Sequence, residues 1–233
     1  MIAAVVPGAG RSERFGGPKL VADVGGRPLV DRTLACLLDA GVDQVVLVVA
    51  PGSPVLALDA RVAASLGDPR VRIAINPAPD RGMFSSIQAG VGLLSGPATA
   101  AGASPGLELL LVLPGDMPFV RAETVRAVIA AARAHGGLVS PRHGGTRGHP
   151  LAVPGALLPL IAAADPAGPL KAALAAYLPE RLELDVADPG VVRDVDRPGD
   201  VGSGLGSHLG SVRMTDLYDR FVIRTDPRLR SKT

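Results

Sequence analysis

Aromatic side chains make up only 3% of this 233-residue chain, tryptophan is missing altogether, and Cys36 is the single cysteine. So few rings mean a core built from Val, Leu and Ala, and they leave little for the base-stacking platforms of single-stranded nucleic-acid binders. One cysteine excludes a disulfide framework within the chain and a cysteine-built metal cluster. An excess of charge is lacking too: the formal net charge is +2, with Arg and Lys scattered among carboxylates, so no basic stripe marks a nucleic-acid partner. No apolar run approaches the ~18 residues of a membrane span. The apolar stretch 2–6 is short for a secretion signal and has no basic flank. These absences predict a cytoplasmic protein with small-molecule partners, no nucleic acid and no membrane.

What is present is 47% apolar and 20% charged residues, the balance of a globular chain. The length allows one large domain, read here as 1–206, followed by a loosely ordered C-terminal tail, 207–233. Strand patterns fall at 2–6, 44–49, 71–75, 107–113 and 138–140. Between them, Val30, Leu34, Leu37 and Leu38 share one helical face, as do Val125, Val128, Ile129 and Ala132. Near-continuous apolar strands alternating with amphipathic helices predict an α/β fold, doubly wound, with a mostly parallel sheet and helices on both faces. In such sheets ligands bind beyond the carboxyl ends of the strands. The Gly/Ala/Ser/Pro stretch 96–106 reads as a surface connection, and 141–150 and 188–206 read as irregular.

Five stretches could carry chemistry. The first, P-G-A-G-R-S-E-R-F-G-G-P-K-L from Pro7 to Leu20, follows an apolar strand with four glycines, two arginines and a lysine. Amides near Gly8, Ala9, Gly10, Arg11 and Ser12 could hold phosphate oxygens, while Arg14 and Lys19 neutralise a triphosphate and stabilise leaving pyrophosphate. Pro18 before Lys19 excludes the Gly-Lys-Ser/Thr phosphate loop, and Glu13 stands where a dinucleotide fingerprint needs its third glycine. A plain glycine-rich turn is the alternative, but it needs no cations.

Second, Asp116 sits between Gly115 and Pro118 straight after an apolar run, where a carboxylate could ligate magnesium on nucleotide phosphates. It could instead cap the helix starting near Arg121, although Glu123 and Thr124 lie closer to that cap. Third, Asp194 and Asp196 alternate with Arg193 and Val195, so in an extended strand both point to one face and could complete the metal site. A solvated surface pair is the alternative. Fourth, R-G-M-F-S-S places Gly82, Ser85 and Ser86 at the opening of a helix ending near Leu94, suited to reading a base edge or serving as an ordinary N-cap. Fifth, Ser140 to Leu151 carries His143 and His149 with Arg142 and Arg147, able to grip an anionic acceptor through guanidinium contacts. No nearby Cys or carboxylate completes a histidine metal set. Cys36, on an apolar helix face, reads as an inert thiol.

Together these motifs resemble the molybdenum cofactor cytidylyltransferase family, within the molybdopterin nucleotidyltransferases, over about residues 2–200. The family pattern L-A-A-G-x-S-x-R-M-G-x-x-K-L meets the Pro7 to Leu20 loop, G-M-S-S-S meets Gly82 to Ser86, G-D-M-P is intact at Gly115 to Pro118, and R-G-H-P at Arg147 to Pro150. D-I-D-T-P-x-D appears as Asp194 to Asp200 with Arg197 in place of threonine. Pro7 and Gly8 replace a Leu-Ala pair, Phe15 a methionine and Phe84 a serine. The resemblance implies a Rossmann-like nucleotidyltransferase fold, Mg2+ as cofactor, CTP and molybdopterin as substrates, and a molybdoenzyme or its maturation machinery as partner. It also implies catalytic Arg14, Lys19 and Asp116, metal ligands Asp116, Asp194 and Asp196, and Arg147 with His149 facing the pterin. Ala9, where guanine-selective relatives carry glycine, implies cytosine. The alternatives are a relative using GTP or another phosphorylated acceptor, or a non-catalytic carrier of the finished dinucleotide.

Overall fold

The computed structural model describes residues 1–95 and 106–202. Most of the 96–106 connection and the whole 207–233 tail lie outside the described residues. Strands β1 (Ile2–Pro7), β2 (Gln44–Val49), β3 (Val71–Ile75), β4 (Leu109–Val112), β5 (Val139–His143), β6 (Thr146–Arg147), β7 (Leu151–Pro154) and β8 (Leu182–Asp185) form one sheet. The order is β3-β2-β1-β4-β7-β5-β6, with β8 paired to β5. The pairs β1–β2, β1–β4, β2–β3 and β5–β8 are parallel, whereas β7 runs antiparallel to both β4 and β5. The sheet is thus parallel from β3 to β4 and mixed beyond β4.

Strand alternation builds the two cores. In β1, Ile2, Ala4 and Val6 face one cluster and Ala3 and Val5 the other; β2 divides Val45, Leu47 and Val49 from Val46 and Val48 in the same way. The first cluster is closed by helices α1 (Leu29–Asp39) and α3 (Ala122–His135), through Leu34, Leu37, Val125 and Val128. Helix α2 (Met83–Ser95), with Phe84, Ile87 and Val91, and helix α4 (Leu158–Ala163), with Leu158 and Ile161, close the second. Helices therefore cover both faces. With hardly any aromatic volume available, β-branched and leucine side chains fill both layers.

Two expectations are corrected. Asp194 and Asp196 lie in an irregular segment after the 3-10 turn Pro189–Val192, with no strand there. Their common direction comes instead from Val195 between them, which is fully buried in the first core. The cap of α3 is supplied by neither Glu123 nor Asp116. Asp188, buried and 64 residues downstream of Thr124, accepts from Arg121 N at 2.9 Å and from Thr124 Oγ1 at 2.7 Å. Cys36 is buried, and that burial pushes its thiol up to about 12, as an inert group requires.

Helix α2 approaches the sheet through Gly90. A Cβ there would lie 2.6 and 2.8 Å from the two γ-carbons of Val5 and 3.1 Å from Val48 Cγ2. Gly90→Ala is expected to lower stability although alanine favours helix by about 1 kcal/mol, because overpacking a stiff β-branched core costs roughly 1–3 kcal/mol. A lowered urea midpoint with an unchanged slope would show this.

Candidate functional site

The loop after β1 is pinned at both ends. Gly8 N donates to Val48 O at 2.8 Å, and Phe15 is buried in the first core. Between them Ser12 adopts a left-handed conformation, φ 53°, which turns the chain over the carboxyl edge of the sheet. A 3-10 turn, Lys19–Val21, sinks Leu20 and Val21 into the core and thereby holds Lys19 inward. Its side chain keeps 13% of its exposure.

The turn after β4 meets this loop. Gly115 N donates to Pro7 O at 2.9 Å, and Thr33 Oγ1 of α1 donates to Gly115 O at 3.0 Å. Asp116 then accepts from Val195 N at 2.9 Å through its backbone carbonyl, tying the irregular segment to the turn. The result is a cluster in which one carboxylate oxygen from each of Asp116, Asp194 and Asp196 lies within 4.8 Å of the others. Lys19 Nζ sits 2.6 Å from Asp116 Oδ2 and 3.2 Å from Asp196 Oδ1, and Arg14 Nη1 sits 3.0 Å from Asp196 Oδ2. Three carboxylates thus face two cations.

Protonation follows from that arrangement. Burial disfavours the Lys19 charge, but the hydrogen bonds and charges of Asp116 and Asp196 outweigh it and raise the pKa above 10.5. Hydrogen bonds from Lys19 and then Arg14 hold the Asp196 carboxyl below its usual value. Both shifts favour the charged forms, the Lys19 ammonium and the Asp196 carboxylate.

Facing the cluster across a cleft of about 200 Å³ is the start of α2. The cleft is lined by Gly8, Ala9, Gly10 and Ser12 on one side, Gly82, Met83 and Ser86 on the other, and Lys19 and Asp116 at one end. Ser86 contributes to its wall. Ser85 does not: its hydroxyl donates to Gly82 O at 2.7 Å and stays inside the loop. Arg11 stands over the rim, where Nη2 reaches Asp80 Oδ1 at 2.6 Å and links the glycine loop to the loop before α2. A residue overlooked in the sequence, Asn76, donates to both Ser85 and Ser86; its only sequence signal was an Asn-Pro step after a strand.

The structure separates Arg147 from His149. Arg147, on exposed β6, pairs through Nε with Glu183 Oε1 at 3.0 Å. His149 instead has its backbone N–H on Val191 O at 2.8 Å and its Nδ1 3.4 Å from Val112 O, close enough to feel Asp116 and Asp194. His149 therefore belongs to the carboxylate end of the site, and Arg147 to a charged patch beside it. His143 likewise turns to the Val186 carbonyl, at 3.0 Å.

Burial lowers the His149 pKa below 6.5 against the opposing pull of the Val112 carbonyl, Asp116 and Asp194. With the folded value beneath the unfolded one, this contribution to stability is present above pH 6.5 and lost as pH falls through that value toward the folded pKa. His149→Asn is expected to flatten the fall of the thermal midpoint on acidification below pH 6.5. Thermal melts of both proteins across that range, at constant ionic strength, measure it.

The chain has counterparts among known proteins. Among curated relatives, the bifunctional protein GlmU of Anaeromyxobacter dehalogenans (strain 2CP-1 / ATCC BAA-258) is 31% identical over 134 residues, 57% of this chain. The chain spans 25% of the length of that relative. Among solved structures, Rv0371c from Mycobacterium tuberculosis H37Rv superposes with a TM-score of 0.65 at 24% identity, covering 88% of this chain and 97% of that one. A nucleotidyl transferase from Methanothermobacter thermautotroptrophicus gives 0.62 at 23% identity, over 86% of this chain and 94% of that one. Rv0371c complexed with manganese gives 0.61 at 22% identity, over 88% and 98%. The fold is that of nucleotidyltransferases. The MobA-like NTP transferase domain matches residues 4–182, most of the chain, and the protein belongs to that family.

Proposed function

We propose that this protein transfers CMP from CTP to the terminal phosphate of molybdopterin, releasing pyrophosphate and forming the cytosine dinucleotide of the molybdenum cofactor. The observation that carries the reading is the cleft in which the glycine loop, the start of α2, Lys19 and Asp116 meet, with Asp194 and Asp196 gathered against Asp116 beside it. The motif order shared with the cytidylyltransferases, and the small side chain of Ala9 in the cleft wall, support a pyrimidine.

An all-oxygen set of three carboxylates within 4.8 Å fits a hard divalent cation, and the Lys19 ammonium already lies against two of them as a positive stand-in. The relative with manganese supports the same class of ion. Asp116, Asp194 and Asp196 would hold magnesium, which supplies charge neutralisation for the triphosphate and its leaving group.

The chain's own residues account for the rest. Both reactants are anions, so alignment and neutralisation contribute more than covalent catalysis. Loop amides from Gly8 to Ser12 hold phosphate oxygens. Lys19, anchored by Leu20 and Val21, and Arg14 present their charges to the leaving pyrophosphate, moving from carboxylate to phosphate partners. The acceptor phosphate approaches from the side of His149, and Arg147 at the edge of that approach recognises its negative charge.

Asp116→Asn is expected to abolish magnesium-dependent turnover while circular dichroism and the melting profile show a folded protein. Normal pyrophosphate release by that variant would refute the metal assignment. Lys19→Ala should weaken CTP binding by ~1.5–3 kcal/mol, the range of a charge-assisted hydrogen bond, as read by calorimetry. The reading as a whole is tested by pyrophosphate release with molybdopterin and each of the four nucleoside triphosphates. Release with CTP is expected; release only with GTP, or tight binding with no release, overturns it.

A further inference from the structure

Asn76 lies just past β3 and is 2% exposed. Its backbone N–H donates to Val49 O at 2.9 Å, continuing the parallel ladder with β2 and fixing where the side chain starts. The carboxamide is then satisfied in one orientation only. Oδ1 accepts from Ala78 N at 2.9 Å, so Nδ2 must face the two hydroxyls, donating to Ser85 Oγ at 2.9 Å and Ser86 Oγ at 3.0 Å. An amide flip would set Nδ2 against the Ala78 N–H.

The two serines then part ways. Ser85 accepts from Asn76 and donates its proton to Gly82 O, which closes its hydrogen bonding inside the loop. Ser86 also accepts from Asn76, makes no other side-chain hydrogen bond among the described residues, and lines the cleft beside Gly82 and Met83, opposite Ala9. Its hydroxyl proton is left for whatever occupies the cleft. Leaving a buried donor without a partner costs free energy, so an acceptor there is favoured over a group that only donates and leaves the hydroxyl proton unpaired.

We propose that Asn76 is a positioning residue that sets Ser86 as a hydrogen-bond donor toward an acceptor edge of the nucleobase, and so takes part in selecting cytosine. The inference rests on the cytidylyltransfer reading. Cytosine offers adjacent acceptors, O2 and N3, whereas uracil carries N–H at N3 and guanine carries N–H groups at N1 and N2. Discrimination of this kind, a fixed polar group against a base of the wrong polarity, is stronger than a hydrophobic slot of the same size provides.

The test is calorimetric binding of CTP, UTP and GTP with Mg2+ to the full chain, without acceptor, for the wild type, Asn76→Asp, Ser86→Ala and the double variant. In Asn76→Asp an oxygen replaces Nδ2, so the Ser86 hydroxyl turns back to donate to the introduced carboxylate and is withdrawn from the cleft. Each single change is expected to lower CTP affinity at least tenfold and to narrow the CTP:UTP ratio. The double variant should be no worse than the poorer single, because both changes remove one and the same bond. Losses that multiply in the double variant, or CTP affinity within twofold of wild type in Ser86→Ala, overturn the proposal. If Asn76→Asp does not fold, Ser86→Ala decides alone by the same thresholds. A wild type that prefers GTP refutes the cytidylyl reading instead, and the same cycle run with GTP then asks whether Asn76 still acts through Ser86.

Discussion

The Lys19 ammonium between Asp116 and Asp196 reconciles two opposed demands on one cleft. A triphosphate calls for positive charge, and a divalent cation calls for gathered carboxylates; without a counter-ion the carboxylates would repel each other and the nucleotide alike. At 2.6 and 3.2 Å from its two partners, the lysine offsets the repulsion between Asp116 and Asp196. It is also long enough to change partners without moving the backbone, because Leu20 and Val21 anchor the turn that carries it. Under the proposed reading, exchange of this kind would couple the two ligands: a nucleotide that drew the lysine away would leave carboxylates that favour a metal, and each would raise affinity for the other.

The scaffold delivers these groups because parallel strands place their carboxyl ends on one edge. The loop after β1 and the turn after β4 are neighbours there because those strands pair directly, with Val5 opposite Val112. A backbone bond between Gly115 and Pro7 fixes their separation. Asp188 and Val195 bring the last part of the described chain to the same edge, one by capping α3 and the other by entering the core between two exposed or half-exposed carboxylates.

Strands β1, β2 and β4 were legible in the sequence because they are buried on both faces and read as nearly unbroken apolar runs, and β3, though half exposed, because its β-branched residues alternate. Strands β7 and β8, added beyond β4, were not. Leu151–Pro154 is four residues long beside a proline, and Leu182–Asp185 alternates apolar and acidic residues at a half-exposed edge, so neither stands out from its surroundings. In the site, the glycine-loop cations and Asp116 could be picked out because charge beside glycine after a buried strand has few structural uses. The Asp194 and Asp196 spacing was legible, but what turns both toward Asp116, a buried Val195, depends on tertiary packing. Asn76 was hidden because its partners lie nine and ten residues away in space-filling contacts that no local pattern encodes. Arg147 and His149, adjacent in one motif, part because Val191 claims the His149 backbone and Glu183 claims the Arg147 guanidinium.

The close seat of Gly190 against Phe119, where an added Cβ would lie 2.1 Å from the carbonyl oxygen, locks the segment from Asp188 to Asp196 across the mouth of the β4 turn. Two of the three clustered carboxylates lie on that segment, past residue 182 where the family match stops. The three-carboxylate cluster is therefore an assembled feature: one member is set by the β4 turn and two by a segment held against it through a glycine that no other residue could replace without displacing backbone.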